Sequence, residues 1–173
     1  MRLETDTWGA TYFAEFARSA FRLEVQPTYT MPSEQPNVAR FLGGELTPPD
    51  GHNKAWHDTI RRNAETGRAM KRVRVVRLPL TDYQRYGFAW SIPGNVAAGE
   101  DVRILDATEL TLDLPVFDFW LFDDTAVVRL NFRSDGTLES VESDDEPDLD
   151  QYRQWRDLAL ANAMPFNEWN ART

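Results

Sequence analysis

The stretch from Arg72 to Leu105 constrains the fold more than any other part of this 173-residue chain. Val73, Val75, Val76 and Leu78 mark a strand over Arg72–Leu78, rich in β-branched residues. Thr81 and Gln84 have capping-box spacing, which predicts a helix start. Tyr86, Phe88, Ala89 and Trp90 continue that helix, and Pro93-Gly94 predicts a break or kink before Gly99 ends it. Val102–Leu105 reads as a second strand. Strand, helix and strand in so short a span form a βαβ unit (72–105), whose strands should be parallel with a right-handed crossover. The chain is thereby committed to a sheet with helices packed against it.

The flanking segments extend that sheet. Tyr12, Phe13, Phe16, Ala17 and Ala20 recur at helical spacing, predicting a helix over Thr11–Ser19. Phe21, Leu23 and Val25 then alternate with Arg22, Glu24 and Gln26, which is strand period. Residues 27–51 form a Pro-rich loop segment, with room for a short helix near Asn37–Leu42 stopped by Gly43-Gly44. Asn53–Thr66 reads as a helix with Trp56, Ile60 and Ala64 on one face. Phe117–Phe122 and Ala126–Phe132 are apolar runs around the hairpin turn Asp123-Asp124-Thr125. Asp135-Gly136 turns the chain into Thr137–Val141. An acidic linker (143–148) precedes a final helix over Leu149–Met164. The expected class is α/β to α+β, a mixed sheet of five or six strands with flanking helices.

Composition narrows the rest. With 42% hydrophobic residues, the length suits a single domain over 1–173. The absence of cysteine excludes disulfides, thiolate metal sites and thiol nucleophiles. No run approaches a membrane span, and the N-terminus lacks the basic-then-apolar order of a signal peptide, so a cytoplasmic location and no membrane association are expected. A net charge of −9 and the lack of a recognisable helix-turn-helix argue against direct nucleic-acid binding. The charge is uneven. Arg61, Arg62, Arg68, Lys71, Arg72, Arg74 and Arg77 face only Glu65 locally, whereas residues 135–150 hold eight acids and no base. The basic stretch suits a phosphate or an acidic partner. As a solvated helix end and strand face, offset by the chain's own acidic segment, it needs no ligand, and that is the expectation.

Few motifs carry chemistry. His52 and His57 are five apart, not the three or four of a metal pair on a helix, and are expected as surface histidines. Dinucleotide, P-loop, nucleophile-elbow and metalloprotease signatures are absent, so no cofactor, metal or catalytic set is assigned. Glu100-Asp101 is expected as a solvated turn rather than a magnesium site, and Asp123-Asp124 as turn residues. Trp90, Trp120, Trp155 and Trp169 lie on faces expected in the core. The candidate ligand set is Arg72, Arg74 and Arg77 with Tyr83 and Arg85 at the strand-to-helix junction, and Trp90 for stacking. Alternation places Arg77 on the face opposite Arg72 and Arg74.

Several blocks together carry a family resemblance. They are Phe21-Arg22-Leu23-Glu24, Arg72–Val76 with Pro79–Tyr83, Asn95–Arg103, Asp118–Asp123, and Tyr152 with Trp155-Arg156-Asp157 and Ala163-Met164-Pro165. In this order they resemble an actinobacterial family known only as a domain of unknown function of about this length. That family often stands beside small helix-turn-helix regulators, which implies a regulatory or accessory role with such a regulator, or another protein, as partner. A second similarity, through the strand and helix around Asn95 and the run from Phe117 to Val128, is to half of a phospholipase-D-like domain. That superfamily's His-x-Lys-x4-Asp motif supplies a nucleophilic histidine and a phosphate-binding lysine. With Asp123 as its aspartate the other positions hold Val116 and Asp118; with Asp124 they hold Phe117 and Phe119. Neither register can attack phosphorus. The resemblance therefore implies a non-enzymatic scaffold used for sensing or interaction, and pairing into a homodimer. The alternative expectation is a protein or enzyme that takes a small anionic metabolite in the arginine-lined pocket.

Overall fold

The computed structural model describes residues 1–172. One mixed sheet of eight strands runs through it: β1 (Arg2–Leu3), β2 (Ser19–Glu24), β3 (Ala69–Val76), β4 (Asp101–Asp106), β5 (Asp118–Phe122), β6 (Ala126–Phe132), β7 (Leu138–Asp144) and β8 (Met164–Pro165). Their spatial order is β1-β7-β6-β5-β2-β3-β4-β8. Only β2/β3 and β3/β4 are parallel; every other pair is antiparallel. The helices are α1 (Trp8–Glu15), α2 (Gln35–Leu42), α3 (Lys54–Glu65), α4 (Asp82–Tyr86), α5 (Ile92–Ala98), α6 (Leu149–Asn162) and α7 (Phe166–Asn170). The sheet exceeds the expected five or six strands because β1 and β8 are two-residue edge strands, too short to show any alternation. β7 also continues to Asp144, so the first two residues of the expected acidic linker belong to the sheet.

The parallel pair β3/β4 confirms the βαβ unit, but its crossover does not break at Pro93. Gly87–Ser91 forms a π-helical turn between α4 and α5. Pro93 then falls in the first turn of α5, where an N–H would be unpaired in any case. The capping box is present: Thr81 Oγ1 accepts from Gln84 N, and Gln84 Oε1 accepts from Thr81 N. Gly99, at φ 117°, ends α5 in the left-handed region.

Each face of the sheet has a core. Under α6 lie Phe21, Leu23, Val73, Leu105, Phe119 and Leu121, closed by Tyr152 and Ala159. The opposite face carries Ala20, Met70, Trp120, Phe122 and Val128, packed against Trp8, Tyr12 and Phe13 of α1 and Trp56 and Ile60 of α3. Asp123 and Asp124, both at positive φ, close the β5–β6 hairpin as expected of turn residues. They also do more. Asp123 accepts the N–H groups of Ala17, Arg18 and Ser19 at 2.6–2.9 Å and so starts β2, while Asp124 pairs with Arg156 of α6.

Candidate functional site

The face toward α1, α3 and α5 changes character along its strands. At one end β2, β3 and β5 present Ala20, Met70, Trp120 and Phe122. Two and four residues on, the same alternation brings up Arg22 and Glu24 from β2 and Arg72 and Arg74 from β3, with Asp118 at the near end of β5. Arg22, Arg74 and Asp118 are buried, and Glu100, just before β4, joins them at 2% exposure. Charged groups this far from water must be paired.

The pairing is close to complete. Asp118 accepts from Arg22 Nη2 at 2.8 Å, Tyr29 Oη at 2.5 Å, Val25 N at 2.8 Å and Gln26 N at 3.3 Å. Glu24 bridges two guanidiniums, accepting from Arg72 Nη1 at 2.5 Å and Arg74 Nη1 at 3.1 Å. Burial alone would raise the Glu24 carboxyl, but Arg72, Arg74 and Arg22 together hold it down at about 2. Arg72 Nε donates to Glu100 at 2.9 Å. Burial dominates at Glu100 and pushes its carboxyl up despite Arg72. Aromatic faces clad the cations: Arg72 lies 5.5 Å from the Trp120 ring centre and 5.9 Å from that of Trp56, and Arg74 lies 4.6 Å from Tyr29. Two buried donors, Arg22 Nε and Arg74 Nη2, have no hydrogen-bond partner among the described residues.

Above Arg72, Arg74 and Glu24 is a cavity of about 310 Å³. Its walls are Asn53 and Trp56 at the start of α3, Tyr83 and Gln84 of α4, Gly87, Phe88 and Ser91 of the π-helical turn, Asn95 of α5, and Glu34 just before α2. π-turns recur at functional sites, and this one supplies a whole wall. Tyr83 Oη donates to Glu34 Oε2 at 2.7 Å, tying the 27–51 segment over the cavity. Burial raises both the Tyr83 hydroxyl and the Glu34 carboxyl.

Of the six residues expected to bind ligand, the structure brings Arg72, Arg74 and Tyr83 to this cavity. Arg77 is exposed on the other face, beside Val25 and Leu114, as alternation requires. Arg85 is exposed and paired with Asp82 one helical turn away. Trp90 is 2% exposed and packs on Phe41, Tyr86 and His52, outside the cavity wall.

Other expectations also need correction. Glu100 is no solvated turn but a buried ion-pair partner. Arg72 and Arg74 are offset by Glu24 and Glu100, not by the acidic segment. His52 and His57 are half-buried rather than surface groups. His52 Nε2 lies 3.3 Å from Ser91 Oγ, and His57 Nε2 lies 3.1 Å from Asn95 Oδ1. Neither lines the cavity. The sequence reading missed Glu24, Glu34, Trp56, Asn95 and Asp118. The alternation of Arg22 and Glu24 with apolar residues was visible, but it does not reveal that helices cover the polar face. Among the described residues no cluster of three or more His, Asp or Glu side chains could hold a metal, and no helix is long and apolar enough to cross a membrane.

Residues 7–171 match the family described as Domain of unknown function (DUF6879), and the chain belongs to that family. No curated protein matches it. Among solved structures it is similar to a phospholipase D family member, Nuc from Salmonella typhimurium, with a TM-score of 0.52 and 11% identity over 90% of this chain and 86% of that one. At that identity the likeness is one of fold, and it agrees with the phospholipase-D-like architecture that the motif blocks imply. Where that resemblance would place the nucleophile and the phosphate-binding lysine, Phe117 and Phe119 pack into the α6-side core, or Val116 stands in solvent and Asp118 in the charged band.

Proposed function

We propose that this protein binds a small polar metabolite in the cavity above Arg72, Arg74 and Glu24 and does not cleave phosphodiesters. One observation carries the reading. Arg72 is held on two edges by Glu24 and Glu100 and backed on one side by the adjoining rings of Trp56 and Trp120, and it lines a cavity at the small end of the usual ligand range. A donor fixed this way loses little conformational freedom when a ligand arrives. A thermal-shift screen with inorganic phosphate, nucleoside monophosphates, organic acids and amino acids tests it. The expected result is a rise in melting temperature with at least one compound, abolished by Arg72→Gln, because a ligand that binds only the folded state must stabilise it. Absence of any shift across the panel at millimolar concentration would remove the reading.

A protein partner reads the ligand state, in our proposal. The resemblance to an actinobacterial family found beside helix-turn-helix regulators supports such a regulator as the partner, the sequence's lack of a membrane-span or signal-peptide pattern supports a cytoplasmic location, and the phospholipase-D-like resemblance supports a homodimer. Affinity capture of the tagged chain from its native cells, with and without the stabilising compound, tests the partner. Light scattering of the purified chain tests the dimer.

A further inference from the structure

The charge around the cavity narrows the ligand class beyond the reading above, on which this inference rests. Three guanidiniums, Arg22, Arg72 and Arg74, interleave with three carboxylates, Glu24, Glu100 and Asp118. The floor is balanced before Glu34 is counted. Two charged groups remain open. Arg72 spends Nε on Glu100 and Nη1 on Glu24, and its Nη2 makes no hydrogen bond among the described residues. Unlike Arg74 Nη2, it is not sealed from solvent. From a different wall Glu34 accepts one bond, from Tyr83, through Oε2; its Oε1 accepts none. Gln84 spends its carbonyl oxygen on Thr81 N, which leaves its amide nitrogen as a further donor.

A bare anion would gain Arg72 Nη2 but would meet Glu24 and Glu34 in the same walls. A bare cation would gain Glu34 but would meet Arg72 and Arg74. Either pays for one contact with a like-charge repulsion at short range. A molecule carrying both charges avoids each penalty. We propose that the cavity selects a small zwitterion of the amino-acid class, its carboxylate on Arg72 Nη2 and Gln84 and its protonated amine on Glu34 Oε1. Trp56 and Phe88 give the ligand's carbon skeleton apolar surface between the two poles. This replaces the purely anionic ligand expected from the arginines alone.

The test compares matched probes on the full chain. Free α-amino acids are screened by thermal shift beside their 2-oxo acids, their decarboxylated amines and inorganic phosphate. At least one amino acid should raise the melting temperature by about 2–4 °C at millimolar concentration while its two single-charge analogues do not. Titration calorimetry should then show Glu34→Gln weakening that amino acid about tenfold, with Glu45→Gln, which alters an exposed pair with Arg40, as an unaffected control. Tyr83→Phe keeps the Glu34 carboxylate and should keep binding, which separates the charge from the integrity of the wall. If 2-oxo acids or phosphate bind as tightly as the amino acid and Glu34→Gln changes nothing, the zwitterion is overturned while the small-ligand reading stands. If no probe of any charge binds, both fall together.

Discussion

The two faces of the sheet share β2, β3 and β5 and each has an apolar core, but only one of them also buries a band of charge. Under α6 the faces of Phe21, Leu23, Val73, Phe119 and Leu121 meet Tyr152 in a dry core, with the Phe119 and Tyr152 rings 4.9 Å apart. On the other face, one step along the same strands, Arg22, Glu24, Arg72, Arg74 and Asp118 fill the positions where apolar residues would pack equally well. Burying paired charges brings little net stability compared with apolar groups of similar volume. Two of the donors are left unpartnered, at roughly 1–3 kcal/mol each. The first face is apolar throughout and serves the fold alone. The second carries a cost that the fold does not require, and costs of that kind collect where a protein meets its ligand.

The largest expected effect comes from breaking the charged face at its best-connected point. Asp118→Ala takes from Arg22 its hydrogen-bonded carboxylate, leaving only the longer pairing with Glu24, and removes the acceptor of Tyr29 Oη and two backbone N–H groups, and should cost about 3–5 kcal/mol. Urea unfolding measures it. A loss below about 0.5 kcal/mol, the scale of a surface substitution, would mean that the band is solvated and that the contrast between the faces is false. Leu121→Ala on the opposite face should cost about 2–5 kcal/mol through cavity formation, and it should leave the cavity's affinity for its ligand unchanged.

Acid separates the faces more finely. The Glu24 carboxyl falls from 4.5 to about 2 in the folded chain, so its stabilising contribution is full above pH 4.5 and is lost as pH drops from there toward 2. That contribution is about 3 kcal/mol. Glu34 and Glu100 shift the other way, because burial raises them; stability they lend below their unfolded value of 4.5 is lost as pH rises through the folded one. Urea midpoints measured between pH 2 and 7 should therefore fall steeply at the acid end for the natural chain and less steeply for Glu24→Gln. Leu121→Ala should lower the whole curve without changing its shape. A Glu24→Gln curve parallel to the natural one would show that its ion pairs do not titrate as a unit.

Much of this contrast was readable in the residues, and the unread part has a physical cause. Alternation, short apolar runs and turn residues located six of the eight strands, and the Thr81–Gln84 box placed the start of α4, because these signals are local. Arg72, Arg74 and Tyr83 were legible as neighbours around one cavity because a strand-to-helix junction gathers them. Glu24, Asp118 and Glu100 were not, because a carboxylate on a strand face or in a turn reads as solvent-facing until its cover is known. The cover here comes from distant chain: α3, α5 and the segment around Glu34. Pro93 misled for a similar reason. Its effect on the helix depends on the π-helical turn just before it, which shifts the hydrogen-bond register and spares the break.

The smallest effect probes the seam between α3 and α5 that roofs the charged face. Gly94 lies so close to His57 that a Cβ there would stand 2.5 Å from Cε1 and 2.7 Å from Nε2. Backbone conformation is no obstacle at Gly94, so Gly94→Ala acts only through this contact. The imidazole is the far end of a side chain and can turn away, giving up its 3.1 Å hydrogen bond to Asn95 Oδ1. The cost should be one hydrogen bond, about 1 kcal/mol, rather than the larger penalty of an overpacked core. Asn95 lines the cavity, so its amide loses the partner that orients it. Ligand affinity should weaken measurably while the acid limb of the stability curve keeps its shape, since Glu24 and its arginines are untouched. A Gly94→Ala chain that loses several kcal/mol would show instead that His57 is locked in place. The roof over the charged face would then be as rigid as the apolar core beneath α6, and the two sides of the sheet would differ in chemistry but not in packing.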